Sequence, residues 1–226
     1  MNKIKVLNLY SSLGGNRYKW DEVAEQKRLE IEVTAVELDE ELAKLYQKRY
    51  PKDIVIVGDA HNYLRENYER FDFVWASPPC PTHSKLQLAW KNMKRRNFNM
   101  PYPDLKLYEE IIFLQHYFNG KYCVENVIPY YEPLIPAHKR GRHLYWTNFN
   151  LPNSLNERKS PKDFAKGNIM SLSEFHDYDF RQYKGKQRLD VVAKDLVDYE
   201  AGRTIFETVL GIEKKQIENQ ISLFNL

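Results

Sequence analysis

Cysteine is scarce in this sequence, which contains only Cys80 and Cys123. Two thiols cannot form a disulfide framework, and they do not supply the ligands of a structural zinc site. No apolar run approaches the length of a membrane span, and the opening MNKIKVLNLY predicts a strand instead of a signal peptide. These absences predict a cytoplasmic protein that has no metal and no membrane partner.

A large excess of one charge is also missing, because the formal net charge is only +3. So small a positive net charge is weak evidence for a nucleic-acid partner, so local clusters of charged residues are more informative than the net charge. Hydrophobic residues make up 42% of the 226 residues, which excludes a disordered chain. This length fits one domain with a small appendage.

Strand and helix patterns alternate through the first third of the chain. The strand patterns are KIKVLNLYSS, IEVTAVEL, DIVIVGDA and FDFVWASPP, and the helix patterns between them are DEVAEQKRLE, DEELAKLYQKRYP and HNYLRENYER. Such alternation predicts βαβ units. Right-handed crossovers then favour an α/β fold with a doubly wound, mostly parallel sheet.

The rest of the chain is less regular. LYEEIIFLQHYFNG and AGRTIFETVLG predict helices, whereas KYCVENV and RHLYWTNF predict strands. Residues 85–104 have little periodicity, and residues 151 to about 190 read as irregular and polar. The final segment, EKKQIENQISLFNL, reads as a tail.

Three features follow predicted strands at the edge where a doubly wound sheet binds ligands. The segment YSSLGG lets a ligand approach the backbone closely, Glu37 can accept from both hydroxyls of a ribose, and Asp59 can accept from an adenine amine. The spaced three-glycine fingerprint of dinucleotide folds is lacking, so NAD is not favoured. The pattern fits an adenosine without a pyrophosphate, as in S-adenosylmethionine.

The predicted cofactor site combines these strand ends with their neighbours. It consists of Tyr10, Ser11, Ser12, Leu13, Gly14, Gly15, Glu37, Leu38, Asp59, Ala60 and Pro79. An alternative interpretation makes Glu37 and Asp59 helix N-caps, or acids of a first helical turn, with no ligand.

The segment SPPCPTHS places a thiol in a stiff turn after a strand. Proline fixes φ and removes a backbone donor, so this segment cannot continue a central strand. Cys80 in such a turn is a candidate nucleophile. Glu125 stands in an otherwise apolar strand pattern, and Arg140 and Arg142 alternate in the next one, which predicts that both arginines point the same way on an extended chain.

Together these motifs resemble those of the DNA cytosine-5 methyltransferases. YSSLGG is similar to the family's FAGxGG cofactor loop, PPCPTHS to its PCQxxS motif, CVENV to its ENV motif, and HKRGR to its QxRxR motif in both arginines. The order is that of the family, and the resemblance covers about residues 3–150. It implies a short, phage- or bacterial-like member with the Rossmann-like fold of class I methyltransferases that depend on S-adenosylmethionine.

The resemblance implies four catalytic residues, Cys80, Glu125, Arg140 and Arg142. Cys80 would attack C6 of cytosine, which turns C5 into an enamine-like carbon that can accept a methyl group. Glu125 would hold and protonate N3, and Arg142, supported by Arg140, would bind O2 of the base. Because a stacked base cannot react, the target must leave the DNA duplex.

The segment after Cys80 is basic and interleaved with aromatic residues, as phosphate contact and stacking would require. The predicted DNA contacts are Ser84, Lys85, Lys91, Lys94, Arg95 and Arg96. In the family this region is a mobile loop that closes over the flipped base. The alternative is a solvated surface loop.

The sequence also departs from the family pattern. Pro81 stands where the family has a glutamine, and its late RLQGFP-like and GNxV-like motifs are not clear. The predicted organisation is a catalytic domain over residues 1–150, a short target-recognition region over 151–195, a closing helix within 196–215 and a tail over 216–226. The recognised DNA sequence is therefore expected to be short or loosely defined, or its choice to depend on a partner protein.

The tail offers such a partner. Gln220, Leu223 and Phe224 stand in QISLF, which resembles the QLSLF-type peptide by which bacterial and phage proteins dock on the replicative sliding clamp. Leu223 and Phe224 are apolar side chains at an otherwise polar terminus, and such side chains can fill a groove on the clamp. The alternative is the end of a docked terminal helix.

Other functions stay open at this point. SPP resembles the [DNS]PP[YFW] motif of the N4 and N6 amino-methyltransferases, although Cys80 replaces its aromatic residue and the ENV motif would be unexplained. A catalytically idle DNA- or clamp-binding accessory protein is a second alternative. RNA is a third, because loop charges do not tell a ribose from a deoxyribose. Double-stranded DNA in a bacterial or phage-infected cell is the expected setting.

Overall fold

The computed structural model describes residues 2–88, 99 and 101–212, and the statements below concern these residues. Seven strands form one sheet in the order β3-β2-β1-β4-β5-β7-β6. The strands are β1 (Lys3–Leu9), β2 (Glu30–Glu37), β3 (Ile54–Val57), β4 (Phe73–Ala76), β5 (Lys121–Val127), β6 (His138–Arg140) and β7 (His143–Thr147). The first five pair in parallel, whereas β7 is antiparallel to both of its neighbours. The predicted mostly parallel α/β sheet is confirmed.

Seven α-helices connect and cover these strands. They are α1 (Trp20–Gln26), α2 (Glu40–Arg49), α3 (Ala60–Asn67), α4 (Lys106–Tyr117), α5 (Ile169–His176), α6 (Leu189–Lys194) and α7 (Tyr199–Val209). Asp39 and Asp59 accept backbone hydrogen bonds as the N-caps of α2 and α3, which explains why these helices begin directly after strand ends.

Two apolar layers enclose the central strands. The four residues of β4 are all buried, as expected for a parallel strand that is covered on both faces. Successive side chains alternate between the layers: Val74 packs with α3 and α4, whereas Phe73 and Trp75 pack with α1 and α7. The helix predicted over AGRTIFETVLG is confirmed by α7, which docks through Phe206, whose ring stacks on Trp20 with centroids 5.1 Å apart.

Two expectations from the sequence are wrong. Residues 151 to about 190 are not irregular throughout, because α5 lies within them and buries Leu172 completely. The strand predicted to run through Arg140 and Arg142 is broken, because β6 ends at Arg140 and Gly141 turns the chain with a φ of +50°. A Cβ at Gly141 would approach Glu157 Oε2 within 2.1 Å, so a side chain there would clash as well as strain the turn.

Candidate active site

A cleft of about 1220 Å³ opens where the parallel strands end. Most predicted cofactor and catalytic residues line it, namely Tyr10, Ser11, Ser12, Gly15, Glu37, Leu38, Asp59, Ala60, Pro79, Cys80, Glu125 and Arg142. Leu13 lies instead in an apolar cluster with α5 and α6. Gly14 and Arg140 are also absent from the lining, so the structure brings together twelve of the fifteen predicted cofactor and catalytic residues.

The segment Tyr10–Gly15, which we call the small-residue turn, has a tight and unusual backbone. Tyr10 and Ser12 adopt φ values of 55° and 45°, and Gly14 adopts 68°. A Cβ at Gly14 would come within 2.5 Å of the Tyr50 ring, and one at Gly15 within 2.3 Å of the Val197 carbonyl oxygen. The two glycines are therefore required by packing, and the turn is fixed before any ligand enters.

Two acids of the predicted cofactor site differ in their hydrogen bonds. Glu37 accepts from the backbone N–H of Ser12 at 2.7 Å and of Asp39 at 2.9 Å. Burial raises the pKa of Glu37, although these N–H groups oppose that rise. Asp59 Oδ1 accepts from Asn62 N at 2.9 Å. The N-cap alternative therefore describes Asp59 and not Glu37, while both side chains line the cleft.

The segment Ser77–Ser84, which we call the Cys80 turn, is anchored along its length. The backbone N–H groups of His83 and Ser84 both donate to the Cys80 carbonyl, at 3.0 and 3.1 Å. Asn126 Nδ2 donates to the Pro78 carbonyl at 2.9 Å, which ties the turn to β5. The buried His83 ring lies 2.6 Å from the Tyr131 hydroxyl. The thiol therefore stands on a rigid support, as the prolines predict.

The Cys80 thiol is held in its neutral form in the free protein. Burial raises the pKa of Cys80 to about 12, and the negative charges of Asp195 and Glu125 add to the rise. Asp195 follows α6 and lines the same cleft. Although its side chain reaches the open cleft, loss of hydration there raises the pKa of Asp195 to about 6, with Glu125 contributing. Asp195 was not identified from the sequence.

Replacing Asp195 with asparagine is expected to speed alkylation of Cys80. The substitution removes a negative charge that opposes thiolate formation, so the pKa of Cys80 falls and the thiolate fraction at pH 8 rises. We expect an increase on the order of threefold to tenfold in the rate with iodoacetamide, followed by mass spectrometry of the peptide that contains Cys80. Cys123, which is fully buried, provides the internal control. An unchanged rate would show that Asp195 does not act on the thiol.

Glu125 is buried in β5 and belongs to the lining of the cleft. The antiparallel register pairs it with Tyr145 of β7. His143, two residues before Tyr145, brings Nε2 to within 3.7 Å of Glu125 Oε1. His143 and its other neighbour, Glu157, were not identified from the sequence. The position of His143 directly after Arg142 was the one available signal.

The two arginines of HKRGR have different surroundings. Arg140 donates from Nε to the Pro152 carbonyl at 2.6 Å and from Nη2 to the Leu151 carbonyl at 3.3 Å. Arg142 lies in the cleft lining, with its guanidinium carbon 4.9 Å from the centre of the Phe164 ring. The prediction that both point the same way is wrong, because the turn at Gly141 separates them.

A second, smaller cavity of about 420 Å³ adjoins Arg142. Ser84 and Lys85 of the predicted DNA contacts line it, and Lys139 adds another positive charge. The other predicted contacts, Lys91, Lys94, Arg95 and Arg96, lie outside the described residues, as do Gln220, Leu223 and Phe224 of the tail.

Within residues 2–88, 99 and 101–212, no group of three or more His, Cys, Asp and Glu side chains is arranged to hold a metal ion. Among the helices of the described chain, none has the length and apolar character needed to cross a bilayer.

Comparison with known proteins agrees with this geometry. Residues 4–112 match the model of the C-5 cytosine-specific DNA methylase family, and this match contains the small-residue turn and Cys80. Glu125 and Arg142 lie beyond its end. No curated protein sequence matches the chain.

Solved structures resemble the chain in fold. The Entamoeba histolytica methyltransferase EhMeth has a TM-score of 0.55 and 9% sequence identity, over 95% of this chain and 100% of that chain. A Spodoptera frugiperda DNMT2 mutant has a TM-score of 0.36 and 24% identity, over 55% of this chain and 35% of that chain. The EhMeth comparison confirms the Rossmann-like methyltransferase fold. Together with the family match, it supports a methyltransferase activity. The match to the C-5 cytosine-specific DNA methylase family over residues 4–112 is the family match that the motifs predict.

Proposed function

We propose that the protein transfers a methyl group from S-adenosylmethionine to C5 of cytosine in double-stranded DNA. The observation that carries the proposal is that Cys80 and Glu125 line the same cleft as the small-residue turn. A nucleophile, a carboxyl group and a cofactor turn in one cavity are the parts that methylation of an unreactive ring carbon requires.

The chemistry follows from the weak nucleophilicity of C5. Cys80 Sγ, as the thiolate, forms a bond to C6, and a proton from Glu125 settles on N3. The C5–methyl bond then forms as the sulfur–methyl bond of the donor breaks. The C5 proton then passes to a water molecule, the C5–C6 double bond re-forms as the Sγ–C6 bond breaks and releases the Cys80 thiolate, and the N3 proton returns to Glu125. Arg142 would bind O2 of the base, and Arg140 would support it by fixing the 151–152 backbone.

Because the Cys80 thiol is neutral in the free protein, the bound methyl donor would help to form the thiolate. The positive sulfonium of S-adenosylmethionine would offset the negative charges of Asp195 and Glu125 that oppose ionisation of the thiol. Glu37 and Asp59 each carry carboxylate lone pairs beyond those used by backbone N–H groups, so they can accept from the ribose and adenine.

DNA would enter over the second cavity, where Ser84, Lys85 and Arg142 meet. A target base has to flip out of the duplex to reach Cys80. We propose that residues 1–150 form the catalytic unit and 151–195 a short target-recognition region. Residues 196–215 would then contain the closing helix, and 216–226 the tail. So short a recognition region suits a short or relaxed target sequence.

Mass spectrometry of nucleosides from treated DNA tests the proposed product. Incubation with labelled S-adenosylmethionine and mixed-sequence duplex DNA should yield labelled 5-methylcytosine. An N4- or N6-methylated base would instead support an amino-methyltransferase. Label found in RNA alone would indicate that the substrate is RNA and not DNA. Absence of label from all nucleic acids would support an idle accessory protein.

We also propose that Gln220, Leu223 and Phe224 bind the bacterial sliding clamp. Deleting residues 220–226 should abolish clamp pull-down and leave methylation of short duplexes intact, because none of the proposed catalytic and cofactor residues is removed. Loss of both activities would indicate a role of the tail in folding, and clamp binding by the truncated chain would contradict the proposal.

A further inference from the structure

His143 lies between two carboxylates in the lining of the cleft. Its Nε2 is 3.7 Å from Glu125 Oε1, and its Nδ1 is 3.7 Å from Glu157 Oε1. The Glu125 side chain is 9% exposed, whereas His143 and Glu157 are 27% and 26% exposed. The three groups therefore form a line from a buried carboxyl to one that reaches solvent.

The strand register produces this line. Glu125 of β5 pairs with Tyr145 of β7, so His143 is its diagonal neighbour on the same face of the sheet. The Tyr145 hydroxyl donates to Glu157 Oε1 at 3.4 Å, which helps to hold the outer carboxylate. The pairing of β5 with β7 thus places the imidazole beside Glu125.

The charges around His143 favour the imidazolium. Burial would lower the pKa of His143, but the charges of Glu125 and Glu157 outweigh it and raise the pKa above its usual value, against a smaller opposing effect of Arg142. Arg140 of β6 pairs with His143 of β7, but its guanidinium donates to the carbonyl groups of Leu151 and Pro152. The raised pKa of His143 therefore favours a proton on the imidazole next to Glu125.

We propose that His143 is a proton-relay residue that acts through Glu125, with Glu157 orienting the ring. This inference rests on the proposed cytosine methylation. When Cys80 attacks C6, the Nε2–H bond of His143 breaks, its proton passes to the Glu125 carboxylate, and Glu125 gives a proton to N3. When C5 loses its proton to a water molecule and the thiolate leaves, the N3 proton returns through Glu125 to Nε2 of His143. The relay is thus regenerated without a net gain or loss of protons.

The relay explains how a buried carboxyl can donate a proton and accept it again in each turnover. Without a neighbour, an ionised Glu125 would have to wait for a proton from water that the flipped base excludes. With His143 present, one proton can lie either on the imidazole or on the Glu125 carboxylate. Glu125 can therefore be protonated again inside the closed cleft.

Nuclear magnetic resonance titration of the imidazole tests the coupling without any turnover. In the full chain labelled with ¹⁵N-histidine, His143 should titrate at higher pH than a free imidazole. The pKa of His143 should fall in Glu125→Gln and in Glu157→Gln. Unchanged titration of His143 in both variants would overturn the relay.

The pH dependence of kcat tests the function of the relay. We expect His143→Gln to lower kcat about tenfold to hundredfold and to remove the alkaline decline that follows loss of the imidazolium proton, with little change in KM. His138→Gln is the matched control and should keep the wild-type profile. A wild-type profile in His143→Gln would overturn the relay alone. Absence of methyl transfer in the wild-type protein would overturn the proposed function and the relay with it.

Discussion

Replacing Cys80 with alanine is expected to abolish methyl transfer, with a loss of at least about a thousandfold in kcat. The substitution removes the atom that adds to C6, so C5 never gains the electron density needed to attack the donor methyl group. The small-residue turn and its Glu37 hydrogen bonds are untouched, so binding of S-adenosylmethionine should change little. Single-turnover transfer of labelled methyl groups to duplex DNA, with isothermal titration of the cofactor, separates the two quantities.

Cys123→Ala is the matched control for this loss. Cys123 is fully buried in the apolar cluster with Trp20 and Trp75, as the sequence predicts for a small hydrophobic residue in the middle of a strand. Its replacement should lower the free energy of unfolding by about 1 kcal/mol and leave kcat near the wild-type value. Methyl transfer by Cys80→Ala at the wild-type rate would contradict covalent catalysis and would favour methylation of an exocyclic amine.

Replacing Asp53 with alanine is expected to lower the free energy of unfolding by about 3–5 kcal/mol. Arg17 donates to Asp53 from Nε and Nη2, both at 3.0 Å, and each side chain is only 3% exposed. Tyr46 adds a hydrogen bond to the same carboxylate at 2.9 Å. Without Asp53, the one carboxylate that still pairs with the buried guanidinium is Asp21, whose side chain is largely exposed. Urea denaturation at pH 7 measures the change.

The same substitution should also weaken cofactor binding, because Arg17 follows the small-residue turn by two residues. Glu32→Ala is the control: it removes a surface ion pair with Lys3 that solvent screens, and no measurable loss of stability is expected. Similar losses in the two variants would show that the buried pair has no special part in the fold.

Local patterns in the sequence were sufficient for the parallel half of the fold. Strands β1 to β5 and helices α1 to α4 are short, patterned segments with turn or capping residues between them, so their own chemistry defines them. The antiparallel position of β7 between β5 and β6 depends on contacts far apart in the chain, which no local pattern reports. Helix α5 was missed because its buried residues are few and stand among polar neighbours.

The candidate site was also predicted only in part, because some of its residues are defined by local patterns and others by distant contacts. The small-residue turn, Glu37, Cys80 and Glu125 follow or end strands, so a sheet model brings them together. Arg140 and Arg142 were misjudged because a single positive φ at Gly141 reverses the chain between them. Asp195 and His143 reach the cleft through the arrangement of α6 and β7, so only the folded structure identifies them.

Trapping with duplex DNA that contains 5-fluorocytosine tests the central claim most directly. Fluorine cannot leave C5 as a proton does, so after methyl transfer the Sγ–C6 bond should persist. We expect a covalent protein–DNA complex that survives denaturation, requires S-adenosylmethionine, and maps to Cys80 by peptide mass spectrometry. The complex should be absent in Cys80→Ser and present in Cys123→Ala. Methylation of ordinary cytosine at C5 without any trapped complex, or a complex that persists in Cys80→Ser, would contradict the assignment of Cys80 as the nucleophile.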